Sequence, residues 1–326
     1  MTIKKAELHV HLEGTISPVL ARKLAQRNRI PFPKHLVSSD EQGYNHVDFM
    51  AFLKAYDAIA AMIKVPQDYY DVTFEYLKAN ALGGAVYTEM MYSPDHAEMT
   101  SGIPSSEHLK AIQQAIDDAC EQYNIVGRII ITAVRHFGVD SAIKVAKQAI
   151  KEDLPCVTGF GLGGDEINFP PKLFVKAYEI AVDGGLHGTV HAGEFAPAAG
   201  MEEAMDYLPI ERIGHGVQTI HSPETIARLR DKNIALEVCP TSNVVLGLYK
   251  DIPAHPIQKL LDAGLSISIN SDDPPFFHTD LANEYRQVQQ TFQYTDQDML
   301  HFTRMAIERA FVDEPTRAKL LQSLDV

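Results

Sequence analysis

Cysteine is scarce in this chain. There are three, Cys120, Cys156 and Cys239, in 326 residues, and none stands in a C-x-x-C pair. An odd count without close pairs makes no disulfide framework, and the three read as ordinary buried thiols in a reducing compartment. Basic charge is short as well. Against 43 Asp and Glu there are 29 Lys and Arg, a formal net charge of −14. Such a surface repels phosphate backbones, which argues against nucleic acid as a partner. No apolar run approaches the ~18 residues that would suggest a membrane span. The opening MTIKKAELHV has two lysines but no long apolar stretch before its histidine, so no secretory signal is expected and the cytoplasm is the default. Low-complexity segments, obvious internal repeats and Gly/Ser linkers are lacking too. Residues 1–326 are therefore read as a single domain, with the oligomeric state left open.

What is present is an alternation. Short apolar, β-branched or aromatic runs are followed by turns and longer helical patterns. The expected strands are 6–13 (AELHVHLE), 85–93, 127–136, 156–164, 187–194, 212–216, 234–242 and 265–273. Between them lie helical patterns such as 17–28, which has a Ser cap and Pro at its first position. Others are 105–123, 140–152, 171–185, 222–233 and 255–265. Strands alternating with helices predict a parallel α/β protein, and this number of strands closes a (β/α)8 TIM-type barrel. A doubly wound open sheet is the alternative. The largely helical stretch from Ile30 to Tyr70 predicts a cap inserted after the first strand.

Polar residues punctuate the strands where an apolar core would not place them. His9 and His11 are two apart and so share a face of a strand. Alone, the pair could be two hydrogen-bonded core histidines. It has company. HAGE puts His191 and Glu194 at the end of one expected strand, RIGHG puts His215 at the end of the next, and SINSDD puts Asp272 and Asp273 at the end of the last. In a barrel the strand C-termini converge on one mouth, where chemistry sits. Imidazoles and a carboxylate meeting there suit a metal ion, with zinc favoured and iron or cobalt as alternatives.

HVHLEG, GLGGDE, HAGE, RIGHG and NSDDP, in this order and at these intervals, resemble the adenosine deaminase family of the amidohydrolase superfamily, over essentially the whole chain. The resemblance implies a (β/α)8 barrel with one catalytic Zn2+ per chain, held by His9, His11, His191 and Asp272. An open position on that ion would lower the pKa of a water toward neutrality. Glu194 would donate a proton to purine N1, and His215 would orient the water and stabilise developing charge. His11, Glu13, Gly164 and Asp273 are implied as substrate contacts, Gly164 through its N–H at purine N3 and Asp273 at N7. GLGGDE lacks the G-x-G-x-x-G spacing of a dinucleotide loop, and its glycines suit close approach to a ligand. The H-x-E … P-C-x-x-C signature of the cysteine-ligated zinc deaminases is absent.

The implied reaction is hydrolytic deamination at purine C6, as in purine salvage, on a small-molecule nucleoside or base. Adenosine and 2′-deoxyadenosine, giving inosine and 2′-deoxyinosine, are the expected substrates. The alternatives are free adenine, giving hypoxanthine, and modified adenosines. The choice turns on Glu13, because adenosine deaminases usually carry Asp there, contacting the ribose 5′-hydroxyl, while HLEG also resembles the adenine branch. On strand periodicity Glu13 should share the face of His11, and Asp273 should point away from Asp272. A catalytically silent binding protein is the remote alternative, and the intact ligand set speaks against it.

Overall fold

The computed structural model describes residues 3–325. Eight strands form one sheet in strict sequence order, each parallel to the next. They are β1 (Lys5–Glu7), β2 (Ala85–Tyr92), β3 (Val126–Val134), β4 (Val157–Gly163), β5 (His187–Ala192), β6 (Arg212–His215), β7 (Ala235–Val238) and β8 (Ile267–Ile269). The sheet curls into the expected (β/α)8 barrel. Its seam closes beyond the regular strands. The His11 N–H donates to the Asp272 carbonyl at 2.9 Å, and the Asp272 N–H to the His9 carbonyl at 3.2 Å. Three of the four residues expected to bind metal, His9, His11 and Asp272, thus join the first strand to the last.

The helices follow in chain order. α1 (Pro18–Asn28), α2 (Phe49–Ala60) and α3 (Pro66–Leu82) lie between β1 and β2, and α4 (Pro94–Ser101) and α5 (Ser105–Tyr123) precede β3. α6 (Val139–Glu152), α7 (Val175–Asp183), α8 (Ala198–Tyr207) and α9 (Pro223–Asp231) each separate consecutive strands from β3 to β7. α10 (Pro240–Val245) and α11 (Ile257–Asp262) precede β8, and α12 (Leu281–Phe292), α13 (Asp296–Arg309) and α14 (Glu314–Leu324) follow it. Local chemistry sets these helices. Ser17 caps α1 by accepting from the Leu20 N–H, with Pro18 at the first position. Asn124 ends α5 in the left-handed conformation. Apolar residues such as Leu109, Ile112 and Ile116 of α5 fill the layer between sheet and helices. No helix among the described residues is long and apolar enough to cross a membrane. Cys156 and Cys239 are buried, but Cys120 is exposed, contrary to the reading of three buried thiols.

Two expectations need correction. β1 was expected over 6–13 but ends at Glu7. The ladder continues only as single parallel bridges, Val10 to Asp272 and His11 to Met91, and the chain then enters a 3-10 turn at Glu13–Thr15, where the two-residue period is lost. Glu13 therefore does not share the face of His11. The stretch from Ile30 to Tyr70 is helical only in part. It holds a 3-10 turn at Lys34–Leu36, a single bridge between Val37 and Tyr44, then α2 and the start of α3.

Candidate active site

The C-terminal mouth of the barrel opens into a cavity of about 360 Å3. His11, Gly164, His191, Glu194, His215, Asp272 and Asp273 line it from strand ends far apart in sequence. His9 lies directly beneath. Its ring centre is 4.5 Å from that of His191 and 4.9 Å from that of His215. Two of these residues leave their strands with left-handed backbones, His215 at φ 58° and Asp272 at φ 65°. Such conformations are uncommon for residues other than glycine and gather at functional sites. The turn at Asp272 has a direct consequence. Asp272 and Asp273 both face the cavity, so the expectation that they point apart fails.

Four side chains make a donor set. The Nε2 atoms of His11 and His191 lie 3.2 Å apart. Asp272 Oδ1 is 3.6 Å from His9 Nε2 and 3.5 Å from His11 Nε2. Ligand atoms of His9, His11 and His191 fall within 4.8 Å of one another. His9 Nε2 is fully buried with no hydrogen-bond partner, a costly arrangement unless something else binds it. Three imidazole nitrogens and a carboxylate fit Zn2+. Burial holds the imidazoles neutral, as ligation requires: His11 at about 4, with His191 well below the ordinary histidine value. Burial works the same way on His9, but the neighbouring Asp272 and Glu237 carboxylates outweigh it and raise the group to about 9. Although burial disfavours its charge, the imidazoles around it, His9 first, hold Asp272 well below the usual carboxylate range.

Several supporting residues had no signature in the sequence. Glu237, in the middle of the apolar run IALEV, accepts from His9 Nδ1 at 2.8 Å and so turns Nε2 inward. Its other oxygen takes the Nε–H of buried Arg212 at 2.7 Å, and Arg212 also pairs with Glu89. Ser242 donates to Asp272 Oδ2 at 2.7 Å, and the Asn243 amide stands 3.3 Å from His215 Nδ1. A lone charged residue inside an apolar strand was the available signal for Glu237, while Arg212, next to Glu211 at the start of β6, stood out less. Ser242 and Asn243 offered none.

The remaining acids are poised differently. Burial, then the charges of Asp272 and Glu166, push Glu194 well above the usual carboxyl value. Burial and the neighbouring Asp272 do the same to Asp273. Both are pushed toward the protonated form, in which a carboxyl can donate a hydrogen bond. Burial lowers His215 to about 3, leaving it neutral, with Nδ1 3.7 Å from Glu194 Oε1.

Glu13 is placed apart. It is buried but does not line the cavity. Its carboxylate accepts from the Tyr69 hydroxyl at 2.8 Å and lies 3.4 Å from that of Tyr56. Tyr56 itself forms the wall, with Phe49, Phe52 and Leu53 of α2 beside it. Next to Tyr56 on the same helix, Asp57 meets His96 Nε2 at 3.1 Å. No lysine or arginine lines the cavity.

Comparison with known proteins now bears on this geometry. The family model described as adenosine deaminase matches residues 4–326. A protein named adenine deaminase from Sinorhizobium medicae is 38% identical over 324 residues, 99% of each chain. The crystal structure of an adenine deaminase from Arthrobacter aurescens superposes with a TM-score of 0.90 at 30% identity, covering 98% of both chains. An amidohydrolase from Burkholderia ambifaria, solved with bound Zn, gives a TM-score of 0.88 at 28% identity, covering 99% of this chain and 91% of its own.

Proposed function

The chain belongs to the adenosine deaminase family, whose hydrolytic C–N chemistry it shares, and on that premise we propose that it deaminates free adenine to hypoxanthine. One observation carries the choice of base over nucleoside. The residue at the position implied for ribose contact, Glu13, is withdrawn from the cavity and engaged by Tyr69 and Tyr56. A ribose hydroxyl would meet the Tyr56 wall and find no free carboxylate. Sites that bind a hydroxyl discriminate by leaving their polar groups unpaired when it is absent. Here that group is already paired. Relatives named adenine deaminase support the same reading, which replaces adenosine as first expectation.

His9, His11, His191 and Asp272 would hold one Zn2+ per chain. When bound, the ion would bring a water to near-neutral pKa and supply the nucleophile. The other steps belong to side chains. Glu194, protonated because it is buried beside Asp272 and Glu166, donates to purine N1 and draws electrons from C6. Protonated Asp273 donates to N7, and the Gly164 N–H to N3. The Asn243 amide donates to His215 Nδ1, so His215 carries its own proton on Nε2, toward Asp272 at 4.0 Å. There it stabilises charge developing on oxygen. Water adds at C6 and the amino group leaves as ammonia, so adenine and water balance hypoxanthine and ammonia.

A rate comparison tests this. Purified protein is assayed for ammonia release from adenine, adenosine and 2′-deoxyadenosine, with zinc measured by elemental analysis. Adenine should exceed either nucleoside by at least ~100-fold in kcat/KM. Equal or faster turnover of adenosine overturns the choice of substrate.

A further inference from the structure

Glu194 stands on a segment with little structure of its own. β5 ends at Ala192 and α8 begins at Ala198, and neither helix nor strand spans the residues between. The Gln218 N–H anchors the Gly193 carbonyl at 2.9 Å, and the segment's own N–H groups are held by one side chain from another loop. Glu166, three residues past the end of β4, turns its carboxylate across the gap. It accepts the N–H groups of Gly193 at 2.9 Å, Ala196 at 2.6 Å and Phe195. Those amides flank Glu194 on both sides. Backbone N–H groups converging in this way form an anion-binding nest. The left-handed Gly193, at φ 69°, permits it, and a Cβ there would lie 2.3 Å from Met201 Sδ.

Two further contacts complete a frame. Buried Arg135 donates to the Phe169 carbonyl at 2.6 Å, on the loop of Glu166, and to the carbonyl of His191. Gln218 Nε2 donates to the Glu194 carbonyl at 3.1 Å. The Glu194 side chain makes no hydrogen bond that would fix its direction from within the cavity, and its nearest partner is His215 at 3.7 Å. Its aim is set by the backbone on either side.

We propose that Glu166 is a positioning residue for the reaction, its carboxylate gripping the Gly193, Phe195 and Ala196 N–H groups and thereby aiming Glu194 into the cavity. This rests on Glu194 being the proton donor of the preceding section. A charged acceptor on several N–H groups is stronger than a neutral one. Removing it leaves those donors unsatisfied and the loop free to turn.

A double-mutant cycle tests the idea. Glu166→Gln and Glu166→Ala are each made alone and combined with Glu194→Gln, and kcat, KM and zinc content are measured on adenine. Alone, each should lower kcat at least ~30-fold with less than ~3-fold change in KM and full zinc content, within the range of general acid catalysis. Added to Glu194→Gln, each should cost less than ~2-fold, because both changes act through one group. A multiplicative loss in the double variants, wild-type kcat in the singles, or zinc lost in proportion to activity would overturn the proposal. Near-wild-type activity of Glu194→Gln alone would instead sink the donor role. Hydrogen exchange of the unmutated protein adds a reading that needs no variant. The Phe195 and Ala196 amides should be protected although they lie outside any helix or strand, and fast exchange there also overturns the proposal.

Discussion

At the scale of single residues, the site was legible where its chemistry demanded polar groups at strand ends. His9, His11, His191, His215 and Asp272 interrupt apolar runs, and no core would prefer them there. Glu13 was misread because a strand period was extended into a 3-10 turn. Glu166 escaped because a carboxylate that binds backbone amides needs no partner residue at a fixed spacing. Gly14, in the same HLEG stretch, is a different matter. A Cβ there would lie 1.8 Å from Asp273 Oδ1. Gly14→Ala must therefore displace the Asp273 carboxyl, while the four proposed metal ligands keep their places. The expected variant binds zinc fully but loses affinity for adenine, with KM raised ~10-fold or more, as for loss of a hydrogen bond of about 1.5 kcal/mol. Steady-state kinetics with zinc analysis checks it, and an unchanged KM would remove Asp273 from base recognition.

At the scale of elements, β2 to β8 were readable because buried parallel strands are short apolar runs bounded by turns. The cap between β1 and β2 was less so, since its ordered parts answer to contacts with the barrel mouth and not to a period. The helices after β8 were not among the expected elements, although α13 packs against both β8 and β1 and covers the seam from outside. α12 contributes a buried acid. Glu284 accepts from the Thr241 N–H at 3.2 Å, at the start of α10, whose Ser242 and Asn243 brace Asp272 and His215. Burial raises its carboxyl from 4.5 to about 7. The sign follows from proton linkage. The folded protein holds this proton more tightly than the unfolded chain, so stability is greatest below 4.5, declines as pH rises toward 7, and is then constant. The full penalty is about 3 kcal/mol. Glu284→Gln keeps the shape and removes the charge. Its melting temperature should match or fall below wild type at pH 4.5 and exceed it at pH 8. Parallel melting curves at both pH values would show that Glu284 does not titrate there.

At the scale of the whole molecule, charge and cavity act together on the choice of ligand. The chain carries a net charge of −14, and the exposed Asp57 stands on the wall of its cavity, which no lysine or arginine lines among the described residues. A phosphate brought to this mouth meets like charge without a fork of donors to neutralise it. Two unit charges ~6 Å apart repel by about 3 kcal/mol at an effective dielectric of ~20, and loss of phosphate hydration adds to that. Neutral adenine incurs neither cost. AMP should accordingly have a kcat/KM at least ~1000-fold below that of adenine. Salt separates the long-range field from the local one, since the Debye length falls from ~10 Å at 0.1 M to ~3 Å at 1 M. Between those salt concentrations the value for adenine should change less than ~2-fold. AMP should gain several-fold from screening yet stay far below adenine, because salt supplies no donor fork for the phosphate. Comparable turnover of AMP and adenine at low salt would overturn this reading and point to His96 and His136, which line the cavity, as partners of the phosphate.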